Sequence, residues 1–325
     1  MKLEDIGFYT LSDARAKFVA ENYEKVILPI TRCEIIITDK CNFSCPYCRG
    51  IDCEETDLKT IESTMIELKN IMNIRFSGGE PTLHPDIEEM VKIAKLMSVQ
   101  RIAISTNGSL PFEKYKTLVD LGVNDFSISL DACCASTGDM MTGGVEGSWK
   151  IVTENIKRLS EITYITVGIV ITEDNISEVN KIIAFADSLG VSDIRVIPSA
   201  QYNKFLRELK TLDPKLYENR PILKYRVENA SVNGHVRGLL ENDSTRCPLV
   251  LDDIAVMGDN HYPCIIYMRE KGKPIGKISD GRIKINEDRT SWFKTHQTHL
   301  DPICKKNCLD VCIEYNNKCN AAMKG

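Results

Sequence analysis

Cys41-Asn-Phe-Ser-Cys45-Pro-Tyr-Cys48 places three thiols at x3 and x2 spacing in one tight loop, directly after the apolar run Glu34-Ile-Ile-Ile-Thr38. Three thiolates can hold three irons of a [4Fe–4S] cluster. No fourth cysteine lies at a matching spacing, which leaves the fourth iron open. An open iron can bind a small molecule, so such a cluster can do chemistry as well as carry electrons. A zinc knuckle fits less well, because structural zinc wants four protein ligands from paired hairpins.

This loop resembles the signature of the radical S-adenosylmethionine (radical SAM) enzymes, in which Tyr47 matches the aromatic position before the third cysteine. Gly78-Gly79-Glu80-Pro81 resembles the family's segment for the amino group of the SAM methionine. The resemblance implies that SAM chelates the open iron through its amino and carboxylate groups. One electron from the reduced cluster then cleaves a carbon–sulfur bond, and a 5′-deoxyadenosyl radical takes a hydrogen atom from the substrate.

The elements that would position these residues alternate along the chain. Strand-like runs at Glu34–Thr38, Asn73–Ser77, Arg101–Thr106, Asp125–Leu130, Tyr164–Ile171 and Ser192–Ile197 are separated by helical periodicities. The helices are expected at Asp57–Met72, Pro85–Met97, Phe112–Leu121, Ser148–Leu159 and Ser177–Leu189. Six βα units imply a parallel α/β sheet with right-handed crossovers. The pattern alone leaves an open doubly wound sheet and a partial barrel equally possible, and the resemblance favours a partial (β/α)6 TIM-like barrel. The strands read as Ile- and Val-rich, as buried parallel strands do.

In parallel βα folds the chemistry sits at the C-terminal ends of the strands, and polar and glycine residues gather there. Gly78 and Gly79 allow close backbone approach to a ligand, and the resemblance gives Glu80 the SAM ammonium. Ser105 and Asn107 resemble the family's ribose- or carboxylate-binding position, although Asn-Gly is also a plain turn signal. Ser129 and Asp131 end the fourth strand, where Asp131 either binds a hydroxyl or caps a loop. Arg195, if it points into the mouth, can clamp the SAM carboxylate or an anionic substrate. Ile197 is placed to pack against adenine.

The C-terminal third changes character. Cys247, Cys264, Cys304, Cys308, Cys312 and Cys319 follow one another, around a strand-like pair at Asp253–Met257 and Tyr262–Met268 with a turn at Gly258-Asp-Asn260. This run resembles the SPASM/twitch extensions of radical SAM enzymes, which carry auxiliary iron–sulfur clusters. A full SPASM domain has seven cysteines; six are present here, with late spacings of x3, x3 and x6. One auxiliary [4Fe–4S] cluster is therefore expected, held by Cys247, Cys264, Cys304 and one or two of Cys308, Cys312 and Cys319; a structural zinc is the competing reading. Whichever of Cys264, Cys308, Cys312 and Cys319 do not ligate could return a hydrogen atom to a substrate radical. Cys33, Cys53, Cys133 and Cys134 are further candidates for that donor, Cys133 and Cys134 standing behind the four above, but read mainly as small buried hydrophobes. His261, His296 and His299 lie near the cysteines as acid–base groups or loop residues.

The expected domains are an N-terminal extension over 1–32, the barrel over 33–200, a linker over 201–246 and the cysteine-rich unit over 247–325. A chain of 325 residues with 43% hydrophobic and 27% charged residues is ordinary for a folded protein. Its net charge of −5 and lack of a basic block argue against a grip on duplex nucleic acid. No apolar run approaches membrane-spanning length, and the start lacks an apolar signal core. Thirteen cysteines then read as metal ligands of a cytoplasmic chain.

The function expected is hydrogen-atom abstraction from a small-molecule substrate (a sugar, aminocyclitol or nucleoside), giving epimerisation or dehydrogenation, with flavodoxin or ferredoxin as electron donor. The first thirty residues are too few for the leader-binding domain of peptide-modifying members, which favours the small substrate. Peptide modification is the alternative within the family, and a noncatalytic iron–sulfur or zinc scaffold the alternative outside it.

Overall fold

The computed structural model describes residues 13–25, 27–199, 206–232 and 235–324. The first twelve residues of the expected N-terminal extension, and residues 200–205, 233 and 234 around the expected linker, lie outside them.

One nine-stranded sheet organises the chain. Its first six strands are β1 (Arg32–Thr38), β2 (Asn73–Gly78), β3 (Arg101–Thr106), β4 (Asp125–Ser129), β5 (Tyr164–Ile171) and β6 (Asp193–Pro198). They pair in parallel, each with the next, as six consecutive βα units must. The expected α/β architecture is the one found, and all five expected helices begin within two residues of their expected starts. Asp57 caps the helix Leu58–Glu67 by accepting from Thr60 N at 2.8 Å, which satisfies one of the orphan donors of its first turn.

The C-terminal region does not stand apart from this sheet. β7 (Asp253–Met257) pairs in parallel with the free edge of β1, and β8 (Asn260–Tyr262) and β9 (Gly276–Lys277) continue antiparallel. Asp252 fixes this junction. It accepts from Arg15 Nε at 2.8 Å and Thr31 Oγ1 at 2.7 Å, and Arg32 pairs with its other oxygen at 3.3 Å.

Two expectations are corrected. The second strand of the C-terminal hairpin ends at Tyr262 and does not run on to Met268. Pro263 cannot donate to a ladder, and Cys264 Sγ accepts from Tyr267 N at 3.4 Å to cap the short helix Ile265–Arg269. Nor are the barrel strands uniformly apolar. Ile35, Ile74, Phe76, Ile104, Phe126, Ile128 and Val167 pack into the main core. The alternate positions, among them Glu34, Arg75, Ser77, Ser105, Ser127, Thr166 and Arg195, face a cavity instead. Successive strand residues point to opposite faces, so an open barrel can bury one face under helices and keep a polar lumen on the other.

Candidate active site

The C-terminal ends of the strands surround a pocket of about 210 Å³, lined by Cys41, Cys45 and Cys48 together with Gly78, Gly79, Asn107, Ser129 and Asp131. Cys41 and Cys48 are exposed and Cys45 half-buried. The sulfurs already accept: Phe43 N reaches Cys41 Sγ and Gly50 N reaches Cys48 Sγ, both at 3.4 Å. Burial pushes the Cys45 thiol up to about 11, with further upward pressure from Asp131, Cys48 and Cys41. Three thiols lining one pocket, two of them already accepting backbone N–H groups, fit a [4Fe–4S] cluster. Asn107 leans over the same loop, with Nδ2 2.8 Å from Asn42 Oδ1 and 3.9 Å from Cys41 Sγ.

The glycines of the second strand end have nearer neighbours than a ligand. A Cβ on Gly78, whose φ is +147°, would lie 2.2 Å from Thr38 O; one on Gly79 would lie 2.4 Å from Lys40 O. Both glycines let β2 pass the backbone that leads into the cysteine loop, and Gly79 N and Glu80 N donate to Thr38 O and Lys40 O. The Glu80 side chain is fully buried and is not among the residues lining the pocket. It accepts from Thr82 N at 3.0 Å, Thr82 Oγ1 at 2.5 Å, Thr106 Oγ1 at 2.7 Å and Asn107 N at 2.6 Å. Glu80 therefore ties the end of β2 to the end of β3. Pro81 is buried and opens a short 3-10 turn, again outside the pocket lining.

Asp131 is buried, accepts the Tyr47 hydroxyl on one oxygen and Val170 N at 2.6 Å on the other. Burial is the main cause that raises its carboxyl, to about 6, against the lowering effect of those two donors.

Beneath this pocket lies a larger cavity of about 360 Å³. Tyr47, Ser77, Ser105, Ser127, Arg195 and Arg269 line both spaces. Arg195 points into the mouth, where its Nη2 donates to Ser127 Oγ at 3.1 Å. Ile197 lines the lower cavity and not the upper pocket. Arg75, Ser77, Ser127 and Arg269 were not singled out from the sequence. The first three sit at alternate positions of their strands, so the period-two pattern was the signal that could have found them. Arg269 ends the unexpected Ile265–Arg269 helix and carries no such signal.

Five cysteines, Cys247, Cys264, Cys304, Cys308 and Cys312, line a third and nearly apolar cavity. Cys319 is buried but is not in that lining; its neighbour is Tyr315. Burial is the first cause that raises Cys247, to about 11, and Cys264. Five thiols lining one nearly apolar cavity fit an auxiliary cluster, since burial disfavours the free thiolate and a metal would stabilise it. His296 Nε2 lies 3.7 Å from Cys304 Sγ and stacks on Trp292 at 3.9 Å. His299 bonds Leu240 O at 3.0 Å, and His261 is buried beside Arg289. Cys133 and Cys134 begin the loop after β4 and line neither pocket. The buried Arg289 donates to the carbonyls of Val250 at 2.7 Å and Tyr262 at 3.1 Å, and also to that of Asp253, which pins the hairpin carrying Cys264.

Comparisons with known proteins agree with this geometry. Residues 35–186 match the Radical SAM superfamily. A GTP 3′,8-cyclase of Microcystis aeruginosa is 36% identical over 121 residues, covering 34% of this chain and 37% of that protein. A probable GTP 3′,8-cyclase of Saccharolobus solfataricus is 30% identical over 178 residues, covering 52% of this chain and 57% of the relative. The match thus spans little more than half the length of these curated relatives, or less. Among solved structures, Streptococcus suis SuiB bound to precursor peptide SuiA superposes with a TM-score of 0.61 at 15% identity, covering 94% of this chain and 75% of that one. The enzyme anSMEcpe with bound AdoMet superposes at 0.62 and 18%, covering 91% and 95%. These two likenesses concern the fold, and they extend through the cysteine-rich C-terminal region. No helix among the described residues is long and apolar enough to cross a membrane. The three-thiol loop, the strand ends around it and the family match point the same way: residues 35–186 are similar to the Radical SAM superfamily, and the loop at Cys41, Cys45 and Cys48 that would hold a [4Fe–4S] cluster falls inside the matched stretch.

Proposed function

We propose that this enzyme takes a hydrogen atom from a small-molecule substrate held in the lower barrel cavity, and that the net reaction is a dehydrogenation. One observation carries the reading: the cavity and the pocket beside the three thiols share a wall of side chains, Tyr47, Ser105, Ser127 and Arg195 among them. At about 360 Å³ the cavity has the size of a small-molecule site. When bound, the reduced cluster and SAM supply a 5′-deoxyadenosyl radical that removes a hydrogen atom. The chain's own part is to hold the substrate carbon at the shared wall and to keep water from it.

The position of the third cavity supports dehydrogenation over epimerisation. Ile266 and Leu309 line both the cysteine cavity and the substrate cavity, so a single layer of apolar side chains separates them. An electron can cross such a layer, whereas a hydrogen atom needs a thiol in contact. None of Cys264, Cys308, Cys312 and Cys319 is among the residues lining the substrate cavity; Cys33 and the cluster-loop Cys48 are, so Cys33 is the one thiol outside the cluster loop from which an epimerisation could draw its hydrogen atom there. Cys41, Cys45 and Cys48 would hold the SAM-binding cluster, and four of the five clustered thiols the auxiliary one. Asn107, Ser129 and Asp131 would face SAM. A reduced flavodoxin or ferredoxin would supply the electron.

Peptide modification is the second reading, favoured by the fold that SuiB with its precursor peptide shares with this chain. The test is a mass analysis of an anaerobic metabolite extract turned over in deuterium oxide. Dehydrogenation gives a small product that is two hydrogens lighter and carries no solvent deuterium. A product with one deuterium at an inverted carbon would replace it by epimerisation, and a modified peptide would select the second reading.

A further inference from the structure

The lower cavity holds more positive charge at its junction with the SAM pocket than its own carboxylates neutralise. Arg75 projects from β2 and Arg195 from β6, each beside a small residue on the neighbouring strand, Ala103 and Gly168. Arg75 Nη1 donates to Ser105 Oγ at 3.4 Å, and Arg195 Nη2 to Ser127 Oγ at 3.1 Å. The nearest carboxylate to Arg75 is Asp125, at 3.7 Å, but Arg101 already holds that same oxygen at 2.7 Å. Glu34 is shared with Arg269, 3.9 Å away, whose Nη2 donates to Ser77 Oγ at 3.0 Å. Arg195 Nε is buried and has no hydrogen-bond partner among the described residues. Burial is the first cause that lowers the Arg75 pKa, and proximity to Arg195 the second.

Two guanidiniums that are held by serine hydroxyls and repel each other are costly to keep in a cavity. Planar forks of donors match the paired oxygens of a phosphate or carboxylate. We propose that the substrate carries an oxyanion group, a phosphate or a carboxylate, that docks on Arg75 and Arg195 and so sets which carbon meets the shared wall. This names the substrate class of the site proposed above and rests on that reading.

The experiment is anaerobic calorimetry on the reconstituted full chain with SAM at saturation, so that the SAM carboxylate has already taken its own partners. Inorganic pyrophosphate and succinate are titrated separately. At least one should bind, pyrophosphate alone pointing to a phosphate and succinate alone to a carboxylate. Arg75→Gln and Arg195→Gln should each weaken that binding by about ten- to a hundredfold, the range for losing a charge-assisted hydrogen bond. Iron content and circular dichroism check that the variants fold, and Arg75→Lys and Arg195→Lys, which keep a point charge without the fork, serve if they do not. Failure of both anions to bind wild-type protein, or equal binding by wild type and variants, overturns the proposal. Formation of 5′-deoxyadenosine by the same wild-type preparation is read in parallel. Its absence would count against the reaction and leave the anion site standing.

Discussion

Tyr47 donates its phenolic hydrogen to Asp131, and so fastens the cysteine loop to the far side of the pocket, at the end of β4. The partner oxygen lies in a buried side chain whose other oxygen is taken by Val170 N. Tyr47→Phe removes the donor and leaves a buried carboxylate oxygen unpaired. The expected loss is about 1–3 kcal/mol, visible as a lower urea midpoint of protein without SAM. An unchanged midpoint would mean that the loop is held by its other contacts.

Gly79→Ala tests what the glycine pair does. A Cβ there would meet Lys40 O at 2.4 Å and Asp39 O at 2.5 Å, so backbone must move, at a cost of about 1–3 kcal/mol. Stability should therefore fall in the absence of SAM. Normal stability with a loss confined to SAM affinity would return the glycines to the role of admitting a ligand.

Glu80→Ala should act in the same way. Four donors from Thr82, Thr106 and Asn107 lose their acceptor inside the fold, and each buried orphan costs about 1–3 kcal/mol. Glu80→Gln keeps one acceptor oxygen and should be milder. Denaturation of both variants without SAM checks the order, and equal stabilities of wild type and both variants would contradict it.

Asp193 gives a pH signature away from any cysteine. Its carboxylate accepts from Ile222 N at 2.9 Å and Leu223 N at 3.2 Å at the start of the helix Pro221–Val232. Burial is the largest cause and raises its pKa to about 6, despite those donors and Arg220. With the folded value above the unfolded one, the protonated form favours folding. That contribution is full below about pH 4 and is lost as pH rises through about 6. It amounts to about 3 kcal/mol for a shift of about two units. Asp193→Asn should flatten the pH dependence of unfolding between pH 4 and 6 relative to wild type. Parallel curves would show that Asp193 does not titrate in that window.

The order of the six barrel strands was legible because each buried apolar run begins and ends on polar or turn residues, as at Arg101–Thr106 and Tyr164–Ile171. The cysteine loop was legible because its spacing is local. What escaped depends on residues distant in sequence. Nothing in Asp253–Met257 announces that it will lie beside β1, 215 or more residues earlier. Glu80 reads as a ligand-facing acid until Thr106 and Asn107, 26 and 27 residues on, are seen to surround it. The lumen was half legible: Arg75, Ser77, Ser105, Ser127 and Arg195 alternate with isoleucine, valine and phenylalanine, but the apolar half of the pattern dominates the reading.

The most direct measurement is 5′-deoxyadenosine formation by anaerobically reconstituted protein, wild type against the variant with Cys41, Cys45 and Cys48 all replaced by alanine. Wild type should hold about eight irons in two four-iron clusters and form 5′-deoxyadenosine when reduced. The variant should keep about half of the iron, in the cavity lined by Cys247, Cys264, Cys304, Cys308 and Cys312, and form none. Formation of 5′-deoxyadenosine by the variant at the wild-type rate would contradict the assignment of the SAM-cleaving centre to the Cys41–Cys48 loop.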